Sequence, residues 1–447
     1  MNAPRLFLVV LVALGLAGVR SFAAADVPKG RVLEKVACVA DPNQTYALYI
    51  PTTFDPARPM PLLLCFDPGA RGKAPVERFQ AAAEKFGWLV AGSNNSRNGP
   101  WEANAAAIQA MVKDLTAHLP IDSKRVYAAG LSGGARVACQ LGMSGMLQGV
   151  ISCSAAFAGS ETPRKVPFLF FGTAGVTDFN YRELARVDRE LEERRAVHRV
   201  VIFDGGHEWL PAPLALEALA WFELQAMRSG TRPKDPTWTA EQFGARRTAV
   251  PAEPVIERHR ALRSLAADFK GLADTAALES EVATLGASRE FKDALKAERS
   301  LERTEQSTIE DLLTAVNEGY VGSVRKRVTD LQMKAKGTGP ERAMAVRVLQ
   351  GVGSTCGEMA REALRANDYD AAAAVLEMVV LVRPERPQGH FDLARVRAQL
   401  GDRKAAMTAL QQAVAVGFRD AARVKDEKAF DKLRSDPAFQ ALVGGMK

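Results

Sequence analysis

Residues 26–229 predict an α/β unit, a mainly parallel sheet with helices on both faces, and residues 256–447 predict an all-α unit joined to it. Three observations carry this. Short apolar runs alternate with helical stretches from residue 61 to 229, which implies parallel strands with helical crossovers. Beyond 229 strand-like runs vanish and Ala, Leu, Glu, Lys and Arg dominate, as in stacked helices. Near the C-terminus small and apolar residues recur at a fixed offset. At 447 residues the chain is also too long for one ordinary domain.

In chain order, runs at 32–39 and 46–50 flank the turn at Asp41, Pro42, Asn43 and Gln44 and predict a hairpin opening the sheet. Residues 61–66 are continuously apolar, as in a strand covered on both faces. Helix 75–86, strand 88–92, helix 102–118, strand 125–129, helix 135–143 and strand 148–152 follow, then strand 167–171, helix 181–194, strand 199–203 and helix 214–229. Residues 230–255 hold Pro233, Pro236, Pro251 and Pro254 and read as a linker. Helices are expected over 256–352. In 353–447, Met359, Ala360, Asn367, Ala372, Leu376 and Val379 recur as Leu393, Ala394, Gly401, Ala406, Leu410 and Ala413, each 34 positions on. That period is the tetratricopeptide signature, in which small residues let paired helices approach closely. Residues 418–446 are expected to cap the array, whose concave face would suit a protein or peptide partner.

The N-terminus reads as an export signal, residues 1–25. Arg5 supplies the positive start, 6–19 are apolar, and Ala23, Ala24 and Ala25 before Asp26 offer a cleavage site. No cysteine follows that cut, so a lipid anchor is not indicated, and no membrane association is expected after cleavage. The formal charge of +7 is modest, and basic residues alternate with acidic ones, as in Glu298, Arg299, Glu302, Arg303 and Glu305, so no nucleic-acid partner is expected. The five cysteines match no zinc spacing and read as small buried hydrophobes; no metal or cofactor is expected.

The chemistry centres on Gly130-Leu131-Ser132-Gly133-Gly134, which fits G-x-S-x-G between a strand and a helix. A nucleophile on a strained turn leaves no room for a Cβ two residues to either side, where Gly130 and Gly134 stand. A neutral hydroxyl needs a base. Of the five histidines, His207 alone follows a strand's carboxyl end in a tight turn; His118 ends a helix, His198 lies at the wrong end of its strand, and His259 and His390 belong to the helical half. Asp178, after strand 167–171, is the candidate acid, giving the chain order Ser, Asp, His. The N–H of Gly133 is one candidate oxyanion donor, and since Pro68 has no N–H, Gly69 or Ala70 is the other. Arg71 either faces the pocket as an anion binder or is a solvated loop residue. Asn94, Asn95 and Trp101 follow another strand's carboxyl end and either line a substrate pocket or form an ordinary polar loop. Trp209, two residues past His207, is taken with the substrate-binding set.

Residues 46–51 (Tyr-Ala-Leu-Tyr-Ile-Pro), the run from Phe54 to Leu64, the Ser132 motif and Gly205-Gly206-His207-Glu208-Trp209 together resemble the secreted α/β-hydrolase esterases of the polyhydroxybutyrate depolymerase and feruloyl esterase type, over about residues 30–229. The resemblance implies Ser132 as nucleophile, Asp178 as acid, His207 as base, and no cofactor. Two features depart from it: Asp67-Pro68 stands where such esterases usually show His-Gly, and the acid loop is longer. The function expected is an exported serine hydrolase cleaving small or polymer-linked carboxylic esters. A prolyl-oligopeptidase-like peptidase, and a non-catalytic scaffold working through the helical repeats, are the alternatives.

Overall fold

The computed structural model describes residues 28–159 and 161–446, so the expected export signal lies outside the described residues. The first half is built from β1 (Val32–Cys38), β2 (Asp41–Tyr49), β3 (Met60–Phe66), α1 (Lys73–Phe86), β4 (Leu89–Ser93), α2 (Trp101–His118), β5 (Ile121–Leu131), α3 (Gly133–Met143), β6 (Gly149–Cys153), β7 (Leu169–Gly175), α4 (Tyr181–Glu193), β8 (His198–Phe203) and α5 (Ala212–Ser229). Its strands form one sheet in the order β1-β2-β4-β3-β5-β6-β7-β8. The first hairpin is antiparallel and β2 meets β4 antiparallel; all later pairings are parallel.

The two faces follow from strand periodicity. Along fully buried β3, Leu62, Leu64 and Phe66 join the core under α2, α3 and α4, while Leu63 and Cys65 join the core under α1 and α5. The helices answer with apolar stripes, as in α4, where Leu184, Val187 and Leu191 are the buried residues. All five cysteines are buried and unpaired, as a hydrophobic reading expects. Burial pushes the Cys153 thiol up to about 11 and the Cys139 thiol to about 12, which keeps both protonated.

The expected linker is not one. Residues Pro236–Thr248 form α6, with Pro236 in its first turn and the Asp235 side chain accepting from the Trp238 N–H as N-cap. Trp238 packs edge-on against Phe86 at the end of α1. Four prolines suggest a broken segment, but one of them starts a helix. The helices α7 (Val255–Phe269), α8 (Ala276–Ala287), α9 (Arg289–Asn317), α10 (Arg325–Lys334), α11 (Gly339–Arg365), α12 (Tyr369–Val382), α13 (Pro387–Gln399), α14 (Arg403–Ala415), α15 (Ala421–Asp426) and α16 (Pro437–Gly444) follow. A boundary at 352/353 falls inside α11, and one core runs from Leu312 on α9 to Val443 on α16, so the two expected helical regions are one packing unit.

The 34-residue offset has a structural meaning. Asn367 and Gly401 both take a positive φ, 57° and 80°, and Asp368 and Asp402 after them each cap the next helix. Ala360 and Ala394, Ala372 and Ala406, and Leu376 and Leu410 are all buried. Among the described residues no helix is long and apolar enough to cross a membrane.

The sheet carries a titrating pair far from these turns. His198 Nε2 lies 3.3 Å from Asp188 Oδ1 on α4, with the imidazole almost wholly buried. Burial pushes the His198 pKa down, but the hydrogen bonds to Asp188 and the Ala196 carbonyl outweigh it and hold it above its ordinary 6.5. A raised folded-state value means the pair's contribution is complete below pH 6.5 and is lost as pH rises through the folded value. Denaturant midpoints measured across neutral to mildly alkaline pH should therefore decline, and the decline should flatten in His198→Asn.

Candidate active site

β5 runs straight into Ser132, which holds φ 53° and ψ −117° and stands at the N-cap of α3. A non-glycine residue there costs on the order of 1–3 kcal/mol, sustained only because the surroundings leave no alternative. They do so through the flanking glycines. A Cβ on Gly130 would sit 2.1 Å from the Gly134 carbonyl oxygen, and one on Gly134 would sit 2.0 Å from that of Phe66. No side chain caps α3, and in its first turn the Ala135 and Arg136 N–H groups donate to Ser132 O at 3.0 and 3.2 Å.

Asp178 and His207 come together. Asp178 is fully buried, and its Oδ1 lies 2.8 Å from His207 Nδ1 while also accepting from the Asn180 N–H at 2.8 Å. Their loops are zipped by backbone: the Val176 N–H donates to Phe203 O and the Thr177 N–H to Gly205 O, at 2.8 and 3.0 Å. The Phe179 ring stacks on the imidazole, centroids 4.1 Å apart. The turn after β6 ties both loops to the serine. Ser132 N–H donates to Cys153 O at 2.8 Å. Ser154, itself at φ 58°, accepts the Asn180 carboxamide on its carbonyl and donates its hydroxyl to Glu208 O. Ser132, Asp178 and His207 thus share the carboxyl edge of the sheet, where such sheets hold their ligands.

The loop after β3 differs from expectation. Asp67 is fully buried, and its carboxylate accepts from the Gly69 N–H at 2.8 Å, from Arg71 Nε and Nη2 at 2.8 and 3.0 Å, and from Trp209 Nε1 at 3.0 Å. Burial pushes the Asp67 carboxyl up, but these donors outweigh it and hold it below its ordinary value. The Ala70 N–H is also taken, by Asp67 O at 3.1 Å. Neither Gly69 nor Ala70 has its amide free for an oxyanion, because Asp67 draws both onto itself, one onto its carboxylate and one onto its carbonyl. Arg71 is the counter-ion of Asp67, which corrects its reading as a binder of substrate anions, while its side chain is largely exposed, as the solvated reading expects. Trp209 is buried edge-on against Phe79 and serves the same carboxylate, not a substrate.

Of the two readings of the loop after β4, the structure fits the ordinary polar loop rather than the pocket lining. Asn94 donates to Glu34 O and Thr45 Oγ1, and Asn95 accepts from the Thr45 N–H and donates to Asn43 O, so both fasten the loop to the β1–β2 hairpin. Trp101 opens α2 and packs against the sheet core. The residue that reaches the serine turn is Asn98. A Cβ on Gly133 would fall 1.8 Å from its Oδ1, so the carboxamide lies directly against that glycine. The one signal in the sequence was Gly133 itself, which G-x-S-x-G does not require and which makes room for Asn98.

The strand order, with its antiparallel second strand and the serine elbow after β5, is the α/β-hydrolase fold. No protein-family model matches the chain. No curated protein matches it. Among solved structures the chain is similar to the substrate-bound fluorophosphonate-binding serine hydrolase F of Staphylococcus aureus, at 12% identity and a TM-score of 0.34 over 43% of this chain and 96% of that one. It is similar to a ferulic acid esterase at 16% and 0.35, over 42% and 94%. It is also similar to an esterase of Pyrobaculum calidifontis at 12% and 0.37, over 45% and 87%.

Proposed function

We propose that the sheet half is a serine hydrolase cleaving carboxylic esters. The observation that carries the reading is the 2.8 Å contact of His207 Nδ1 with buried Asp178, at the sheet edge where Ser132 is held at φ 53°. Asp178 accepts a hydrogen bond from Nδ1–H and stays ionised, which leaves Nε2 as the basic nitrogen and stabilises the imidazolium that forms. The Ser132 hydroxyl gives its proton to Nε2 as its oxygen bonds the ester carbonyl carbon. The tetrahedral oxyanion is met by the Gly133 N–H and by the Asn98 carboxamide turned to present its nitrogen, and such donors are typically worth about 3–4 kcal/mol each. The imidazolium returns the proton to the departing alkoxide, leaving an acyl-serine. Water, deprotonated by the same nitrogen, then bonds the acyl carbon, the bond to Ser132 Oγ breaks, and the imidazolium returns its proton to that oxygen as the acid leaves. Export rests on residues 1–25, and a tetratricopeptide-like role for the helical half rests on the 34-residue offset.

Purified protein offered nitrophenyl esters and peptide anilides should turn over the esters, and a fluorophosphonate should label Ser132 and not the Ser132→Ala variant. Preference for the anilides would replace an esterase with a peptidase. Folded protein inert to the probe would leave only a helical scaffold.

A further inference from the structure

The helical half does not hang free of the site: α11, braced by α9, grips the loop that carries Asp178. On α11, Arg347 is buried, and its Nη1 donates to Val176 O at 2.8 Å. The same guanidinium forks onto Glu305 of α9, Nε to Oε1 at 2.9 Å and Nη2 to Oε2 at 2.6 Å, with Glu305 only 1% exposed. Its plane lies over the Tyr181 ring, 4.5 Å from the centroid. One turn further along α11, Gly351 faces Phe179, the residue stacked on His207; a Cβ there would come within 3.5 Å of the Phe179 Cβ. Arg347 therefore holds the residue two before Asp178 and the residue three after it, and α11 backs the ring that rests on the imidazole.

We infer that the Arg347–Glu305 pair is a positioning device through which the helical half sets the Asp178–His207 hydrogen bond. The inference rests on the proposed hydrolase reading for its catalytic consequence, but not for its geometry. A bidentate Arg–carboxylate pair in a water-poor seam has one preferred arrangement, since neither charge has solvent to turn to. With Nε and Nη2 fixed on Glu305, the planar guanidinium sets the directions of the Nη1 N–H groups, and Val176 O lies on one of them. The loop is longer than such acid loops usually are, so it has more freedom to lose. Held from the sheet side by the Phe203 and Gly205 carbonyls and from the helical side by Arg347, it keeps the carboxylate within hydrogen-bond reach of Nδ1. A loss of about 1 Å in that register is the scale on which catalysis falls by about 10²-fold.

Two variants separate the tether from simple stability. Arg347→Lys keeps a cation for Glu305 but gives up the fork. The double variant Arg347→Leu with Glu305→Leu removes both charges together, so that no buried ion is orphaned. Each is compared with the full-length protein for thermal unfolding, for kcat and KM on a nitrophenyl ester, and for the downfield proton resonance of His207 Nδ1–H. The expected result is kcat reduced about 10- to 100-fold with KM within about twofold, and a resonance that broadens or shifts upfield. Folded variants with unchanged kcat and an unchanged resonance would overturn the inference and reduce the pair to a brace between the halves. Parent protein inert to esters and fluorophosphonate would sink the hydrolase reading alone, since the resonance still reports whether the tether sets the Asp178–His207 bond.

Discussion

Replacing Asp178 by asparagine is expected to lower kcat on nitrophenyl esters about 10⁴-fold, with the fold retained and KM little changed. The reason lies in what surrounds each oxygen. Oδ1 accepts from both His207 and the Asn180 N–H, whereas Oδ2 is buried with no protein partner. If the carboxamide keeps its oxygen at Oδ1, both hydrogen bonds survive, but an NH₂ group is buried without an acceptor and the imidazolium loses its counter-charge. If it turns over, the NH₂ faces Nδ1 and the Asn180 amide, both of them donors, and His207 is driven to the tautomer whose Nε2 carries the proton and cannot serve as base. Steady-state kinetics and far-UV circular dichroism check this together. A variant retaining more than about a tenth of the parent kcat would mean that Asp178 does not orient the base.

Asp268→Ala should destabilise the protein by about 3–5 kcal/mol, the largest effect on stability expected from a single change outside the site. Asp268, on α7, is 3% exposed and accepts from Trp221 Nε1 of α5 at 2.6 Å, from Arg199 Nη1 of β8 at 3.0 Å, and from Arg246 of α6. It therefore joins the sheet, its outer helix and the first two helices beyond. Truncation leaves Arg246 without its carboxylate beside Arg199, which keeps only Glu217, in a seam where water is scarce, and an indole N–H unmet. Asp268→Asn, which keeps acceptors but not the charge, should cost less. Urea unfolding followed by tryptophan fluorescence reads both, because Trp221 reports from the seam itself. Equal midpoints for parent and Asp268→Ala would show that the arginines find other partners.

Parts of this arrangement could be read from residues alone because they are local. Gly130 and Gly134 mark the elbow, since a Cβ at either position meets backbone about 2 Å away. The apolar run of β3 marks a strand covered twice, and elimination among five histidines leaves His207 at the end of β8. Other readings failed where the deciding partner is remote in sequence or the cue is ambiguous. Asn94 and Asn95 bond to a hairpin some fifty residues earlier. Asn98 alone of the three reaches Gly133. Gly69 and Ala70 carry free amides in any extended drawing of their loop, and only the folded turn gives them to Asp67. Pro236 looks like a breaker until Asp235 is seen to cap the helix it begins.

Hydrophobic period and the steric demands of a tight turn act between near neighbours along the chain, so the fold class of each half and the serine elbow are legible from residues alone. Which amides remain free at the site, where residues 236–248 pack, and that α11 reaches the loop of Asp178 with α9 behind it depend on contacts between distant segments. Arg347 and Val176 are 171 residues apart, and nothing in either neighbourhood encodes the other. Their meeting follows from the way two hydrophobic cores come to share a seam.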